Sequence, residues 1–69
     1  MTVKDFLEKF DIENSDVNEI DLCDIHELTT YQHTRSDIKF GIDDFGKCEV
    51  SNIRIDNDEG IITLFISFV

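Results

Sequence analysis

The chain has 69 residues, and its 16 acidic residues outnumber its six basic ones, which gives a formal net charge of −10 at neutral pH. A chain of this length has room for one small core, so we expect residues 1–69 to form a single domain. The negative charge disfavours direct contact with DNA, RNA and anionic membranes and steers the protein towards basic surfaces. We therefore predict that the partner is a basic surface of another protein.

The N-terminal residues have the pattern of a short amphipathic helix. Thr2 can cap the helix, and Asp5, three residues later, completes a capping box with Asp in the place of Glu. Apolar residues then recur at the spacing of one helical face: Val3, Phe6, Leu7 and Phe10. We predict a helix over residues 3–10. It must pack on another element, because so short a helix is unstable alone in water.

The middle of the chain allows two interpretations. Residues 11–18 are polar and are interpreted as a connection. Ile20 and Leu22 alternate with polar residues as in a strand. Ile25, Leu28 and Tyr31 have instead the spacing of one helical face. We favour a strand over residues 19–25 followed by a loop over 26–36, and a helix over 16–28 is the alternative.

The C-terminal half has the pattern of three strands joined by short turns. Apolar and polar residues alternate over residues 37–42, and the Asp-Asp-Phe-Gly sequence that follows is typical of a turn. A second strand is predicted over 50–55, a turn over 56–60 and a third strand over 61–69. These strands predict an antiparallel meander. The expected fold is therefore α+β, with a short N-terminal helix packed on a small antiparallel sheet of three to four strands.

The last predicted strand is apolar on both of its faces. One face is formed by Ile62, Leu64, Ile66 and Phe68. The other is formed by Ile61, Phe65 and Val69. A single short helix covers only one of them, and a large exposed apolar row is typical of an interface. We predict that Ile61, Phe65 and Val69 form an oligomer interface and favour a homodimer, and the alternative is that residues 16–28 cover this face.

The sequence offers little for catalysis or metal binding. Four side chains are of the soft metal-ligand type: Cys23, His26, His33 and Cys48. The C-x-x-H spacing of Cys23 and His26 is seen in zinc sites, but the later spacing is irregular and no C-x-x-C pair is present. No serine lies in a nucleophile motif. We predict no catalytic residue, no metal site and no cofactor, and hence a protein that is not an enzyme. The N-terminus lacks the apolar segment of a signal peptide, so we expect a cytoplasmic protein with free thiols.

Carboxylates recur every two or three residues between Asp5 and Glu27, where Lys9 is the one basic residue. The candidate partner-binding residues are taken from this series: Asp11, Glu13, Asp16, Glu19, Asp21, Asp24 and Glu27. One interpretation is a solvated polar face, since charged residues are mostly exposed. The other is a row of charges that stands in for a phosphate backbone and docks on a basic protein surface.

A short helix followed by strands, carried by residues Thr2 to Phe10, Val50 to Ile55 and Ile61 to Ile66, resembles small acidic proteins of phages and mobile elements. These include anti-CRISPR and anti-restriction inhibitors, some of which look like DNA to their targets. The resemblance implies a phage-encoded inhibitor of a nucleic-acid-handling defence enzyme, acting in the cytoplasm of a bacterial cell. The alternative is a small phage structural or accessory subunit that homo-oligomerises through its C-terminal strand.

Overall fold

The computed structural model describes residues 1–39 and 45–68. This part of the chain contains α1 (Val3–Lys9), a 3₁₀ helix (Ile12–Asn14), β1 (Glu19–Asp24), β2 (Thr30–Thr34), α2 (Arg35–Lys39), β3 (Glu49–Asp56) and β4 (Ile61–Ser67). The strands form one sheet in the order β2-β1-β4-β3. The predicted α+β class, with a short N-terminal helix and a small sheet, is confirmed. Within the described residues, no helix is long and apolar enough to span a membrane.

Helix α1 is formed by the predicted capping box. The backbone N–H of Asp5 donates to Thr2 Oγ1 at 3.2 Å, and the N–H of Thr2 donates to Asp5 Oδ2 at 3.0 Å. These bonds satisfy two N–H groups that have no partner inside the helix. The N–H of Val3 donates to the carbonyl oxygen of Cys48 at 3.0 Å, and the Val3 side chain is fully buried. The helix is thereby attached to the sheet.

The sheet is mixed, which corrects the prediction of an antiparallel sheet. β1 pairs antiparallel with β2 but parallel with β4, and β4 pairs antiparallel with β3. A parallel pair needs a long crossover connection, and β2, α2 and β3 lie between these two strands in the sequence. The predicted strand over 19–25 is confirmed as β1, and the alternative helix over 16–28 is wrong.

Two predictions for the segment after β1 are wrong. The predicted loop over 26–36 contains β2 and the start of α2. Residues 37–39 of the predicted strand over 37–42 belong to α2. Thr34 and Asp37 start this helix: the N–H of Thr34 donates to Asp37 Oδ2 at 3.0 Å, and the N–H of Asp37 lies 3.5 Å from Thr34 Oγ1. These capping bonds outweigh the local alternation of apolar residues. Residues 40–42 of the predicted strand, and residues 43–44 of the turn after it, lie outside the described residues.

The hairpin of β3 and β4 is confirmed, with the turn at the predicted place. The last strand is shorter than predicted, because β4 ends at Ser67 and Phe68 beyond it is exposed. Asp56 Oδ1 accepts hydrogen bonds from the N–H groups of Asp58 at 3.1 Å and Glu59 at 3.2 Å, and Gly60 has a φ of +69°. β3 is an edge strand and contains an irregularity between Val50 and Asn52. The hairpin places β4 between β1 and β3, so β4 is a central strand.

The two faces of the sheet differ, because paired residues on neighbouring strands point to the same side. The helix side carries the core, whose buried members are Val3, Ile20, Leu22, Cys48, Ile62, Leu64 and Ile66. The opposite face, here called the open face, is formed by Thr30, Gln32, Thr34, Glu19, Asp21, Cys23, Ile61, Thr63, Phe65, Asn52, Arg54 and Asp56. The described helices pack on the helix side.

Candidate partner-binding surface

Two acidic loops lie side by side at one end of the sheet. The first is residues 11–16, before β1, and the second is residues 56–59, the turn between β3 and β4. The N–H of Asn18 donates to the carbonyl oxygen of Gly60 at 2.8 Å, and the N–H of Glu19 donates to the same oxygen at 3.3 Å. The two loops carry five exposed carboxylates: Asp11, Glu13, Asp16, Asp58 and Glu59. We call them the acidic-loop surface.

The first acidic loop is held in place by Arg35. One guanidinium nitrogen of Arg35 donates to the carbonyl oxygens of Ile12 at 2.7 Å and Glu13 at 3.0 Å, and the other donates to the carbonyl of Ser15 at 3.3 Å. The backbone N–H of Arg35 also donates to the carbonyl of Asn18 at 3.2 Å. The guanidinium therefore binds backbone oxygens of the loop. Sequence reasoning missed this role, because no local pattern connects residue 35 with residues 12–15.

The ion pair between described residues lies at the other end of the sheet. It joins the N-terminal ammonium group to a carboxylate oxygen of Glu49 at 3.3 Å, and Glu49 is the first residue of β3. The second acidic loop begins at Asp56, which is the last residue of the same strand. Among residues 1–38 and 45–68, Asp16, Asp58 and Glu59 form no ion pair.

The seven predicted partner-binding residues do not share one face. Asp11, Glu13 and Asp16 belong to the first acidic loop, and Glu19 and Asp21 point from β1 to the open face. The last two, Asp24 and Glu27, lie at the far end of β1 and in the turn that follows it.

Asp24 has a structural contact that the sequence did not predict. Its side chain is buried, and Oδ1 accepts hydrogen bonds from the N–H groups of His26 at 2.9 Å and Glu27 at 3.4 Å. Residue 24 is three positions after Asp21, and side chains alternate along a strand. Asp24 therefore points to the helix side, where it shapes the turn after β1.

Asp21 is a buried carboxylate on the open face of the sheet. Only 9% of its surface is exposed, and within the described part of the chain Oδ1 has no hydrogen-bond partner. Burial, with smaller effects from a hydrogen bond to Glu19 and from the charge of Glu19, raises the pKa of Asp21 to about 6. The two carboxyl groups are neighbours because residues two apart in a strand share a face.

The structure describes two of the three residues of the predicted oligomer interface. Ile61 and Phe65 are half-buried on the open face with the polar Thr63 between them, whereas Val69 lies outside the described residues. The largest apolar exposure in the sheet is on the other side, at the β3 edge, where Ile55 is 62% exposed and Ile53 is 37% exposed. The interface itself stays a prediction.

A histidine and a serine lie within hydrogen-bond distance of each other. His26 Nε2 is 3.1 Å from Ser67 Oγ. Asp24 binds the backbone N–H of His26 and not its ring, so that carboxylate does not orient the imidazole as a catalytic triad requires. Burial raises the pKa of the Cys48 thiol, and both cysteines are free. Among the described residues, no group of three His, Cys, Asp or Glu side chains could hold a metal ion.

Comparisons of the chain with protein families, with curated proteins and with solved structures found no match.

Proposed function

We propose that this protein is a non-enzymatic acidic binding module that docks on a basic surface of another protein. The observation that carries this proposal is the pairing of two acidic loops through the hydrogen bonds from Asn18 and Glu19 to Gly60. Like charges repel, so exposed carboxylates on two separate loops gain nothing from each other. A partner that presents Lys and Arg side chains gains from both loops at once.

The charge of the whole chain supports the same proposal. A net charge of −10 on 69 residues creates a field that attracts basic surfaces over several ångströms and raises the association rate. The guanidinium of Arg35 binds the backbone carbonyl oxygens of Ile12 and Glu13 in the first loop. The loop is therefore held in one shape, which lowers the entropy that is lost when a partner binds.

We further propose that the partner is a nucleic-acid-handling enzyme of a bacterial defence system and that the protein inhibits it in the cytoplasm. A channel that binds phosphate groups is lined with Lys and Arg, and it accepts carboxylates by the same electrostatic attraction. The resemblance of the N- and C-terminal segments to small acidic inhibitors of phages and mobile elements supports this choice of partner.

Affinity capture from a bacterial lysate, followed by competition with duplex DNA, tests the proposal. Captured proteins should be released by duplex DNA and by 0.5 M salt, which screens exposed charges. Asp58→Lys should weaken capture. Glu8→Lys, which makes the same change of charge on the exposed side of α1, should weaken it much less. A partner that is retained in high salt and is not displaced by DNA would contradict the proposal.

The second candidate function is a homo-oligomeric accessory subunit, and the exposed edge of β3 favours it. Unpaired edge strands with apolar side chains readily pair with another copy of the chain, and Ile55 is 62% exposed there. The predicted interface on Ile61 and Phe65 would use the open face instead. Sedimentation of the wild type as a dimer supports this candidate. Ile55→Asp and Phe65→Asp, measured separately, then identify the edge or the face as the interface.

A further inference from the structure

The open face of the sheet is polar along most of its rows. The cross-strand row through the centre is Gln32, Asp21, Thr63 and Arg54. On one side of it, Glu19 lies between Thr34 and Ile61, and Asp56 is paired with Ile61. Asp56 therefore belongs to the open face as well as to the second acidic loop. The open face and the acidic-loop surface form one continuous negative region.

Asp21 lies at the centre of this region, and its Oδ1 has no hydrogen-bond partner among the described residues. A buried carboxylate oxygen without a donor is unfavourable, and such oxygens are nearly always paired in folded proteins. The basic residue of the described open face is Arg54, which is separated from Asp21 by the whole of β4. Two strand spacings, about 9–10 Å, separate the backbones of the two residues, and among the described residues Asp21 Oδ1 accepts no hydrogen bond from the guanidinium. Among residues 1–38 and 45–68, no cation forms an ion pair with Asp21.

We propose that a lysine or arginine side chain of the partner inserts beside Glu19 and Asp21, moves aside the side chains that cover Asp21 Oδ1, and donates the hydrogen bond that this oxygen lacks. This inference rests on the proposed function and names the point of the surface at which the partner is recognised. Glu19 is half-buried next to Asp21 and supplies a second acceptor. A cation held between the two carboxylates offsets one of their two negative charges and lowers their mutual repulsion, whereas a neutral donor offsets neither charge.

The other charged groups of the open face favour a cation too. Its titratable and charged residues are Glu19, Asp21 and Cys23 on β1, with Arg54 and Asp56 on β3. The residues that β2 and β4 contribute, such as Gln32 and Thr63, are not titratable. Three carboxyl groups thus face one guanidinium, and this balance repels an anionic ligand. A basic protein side chain complements it.

Binding of the cation should be coupled to release of a proton. A nearby positive charge stabilises the ionised form of a carboxyl group and lowers its pKa. The pKa of Asp21 is about 6 in the isolated protein, so below that pH the partner's side chain has to displace a proton. Affinity should therefore rise between pH 5 and pH 7 and then level off.

The test uses capped hexalysine as the probe and its fully acetylated form as the uncharged control. Amide chemical shifts of the whole protein are followed by NMR during the titration, and the carboxyl carbon of Asp21 is followed against pH with and without probe. We expect hexalysine to shift Glu19, Asp21, Gln32 and Thr63 and to lower the pKa of Asp21 by about one unit or more. Acetylated hexalysine should do neither.

Two matched variants separate the open face from the acidic loops. Asp21→Asn should lower the affinity for hexalysine about tenfold at pH 7, as expected for loss of one hydrogen bond to a charged group, and should abolish the rise between pH 5 and pH 7. Asp16→Asn changes the charge equally but is exposed, so its effect should be about twofold. Both variants should keep the amide spectrum of the folded protein.

The outcomes distinguish the two levels of the proposal. Shifts confined to residues 11–16 and 56–59, with an unchanged titration of Asp21, would overturn the inference and leave the acidic-loop surface as the binding site. Equal effects of Asp21→Asn and Asp16→Asn would also overturn it. No response to hexalysine at any residue would overturn the proposed function together with this inference.

Discussion

Gly60 lies so close to Asp16 that a Cβ atom at Gly60 would be 2.8 Å from the carbonyl oxygen of Asp16. The same atom would be 2.9 Å from the side-chain nitrogen of Asn18. Only glycine allows the turn after β3 to approach the first acidic loop this closely. The arrangement of the two acidic loops therefore depends on one residue that carries no charge.

Replacing this glycine should both destabilise the protein and weaken partner binding. For Gly60→Ala we expect a loss of about 2 kcal/mol in the free energy of unfolding, because a positive φ and a backbone clash are combined there. Thermal unfolding followed by circular dichroism measures the effect. Asn57→Ala, in the same turn but exposed, is the control and should lose less than about 0.5 kcal/mol. Equal losses in the two variants would refute the close approach.

Asp21 should make the fold less stable at high pH. Its folded-state pKa of about 6 is above the ordinary value of 3.8, so protonation favours the folded state. This contribution is complete below pH 3.8 and is lost as the pH rises through about 6. Asp21→Asn should therefore raise the free energy of unfolding by about 1–2 kcal/mol at pH 8 and change it little at pH 4.

Urea unfolding at pH 4, 6 and 8 measures this difference, and Asp16→Asn is the control for a general loss of negative charge. The gain from Asp21→Asn should grow with pH over this range, while Asp16→Asn should show a small and nearly constant effect. A gain from Asp21→Asn that is already present at pH 4 would contradict the raised pKa.

The capping box of α1 predicts a stability effect with the opposite dependence on pH. Thr2→Ala should lower the free energy of unfolding by about 1 kcal/mol at pH 7. Hydrogen bonds from the backbone and side chain of Thr2 hold the pKa of Asp5 below its usual value. The contribution of Asp5 is thus present above the ordinary carboxyl pKa and is lost as the pH falls further. The difference between wild type and Asp5→Asn in urea unfolding should shrink from pH 7 to pH 3.

Arg35 should hold the first acidic loop through the planar shape of its guanidinium and not only through its positive charge. Arg35→Lys keeps the charge but cannot reach the carbonyl oxygens of Ile12, Glu13 and Ser15 together. We expect a loss of about 2 kcal/mol in the free energy of unfolding and faster hydrogen exchange at the Ser15 amide, which bonds to Ile12. Arg54→Lys, on the exposed open face, should change neither. Unchanged exchange at Ser15 would rule out the anchoring role.

The elements that the sequence predicted correctly have strong local signals. The capping box at Thr2 and Asp5 and the turn chemistry at Asp56 and Gly60 determine structure within a few residues. β2 was missed because its alternate residues Tyr31 and His33 are only partly apolar and its other residues are exposed. The pattern at residues 37–42 was misread because the cap formed by Thr34 and Asp37 acts just before it.

The candidate site was less predictable than the fold because it is formed by contacts between distant residues. The spacing of carboxylates showed that the first half of the chain is acidic, but it could not show that Gly60 would place the 56–59 turn beside residues 11–16. The carboxylate of Asp24 could be assigned to the helix side only once the position of β1 in the sheet was known. The missing hydrogen bond of Asp21 became visible only from the atoms around it.

The central position of β4 has a consequence for how the protein is made. Leu22 of β1 is paired with Leu64 of β4, so the strand that joins both halves of the sheet is synthesised long after β1. Until β4 leaves the ribosome, the apolar side chains of β1 have no central strand to pack beside, and α1 has no complete surface on which to dock. Such distant pairings also slow folding. The newly made chain should thus remain open to proteases until β4 emerges and then close in one cooperative step.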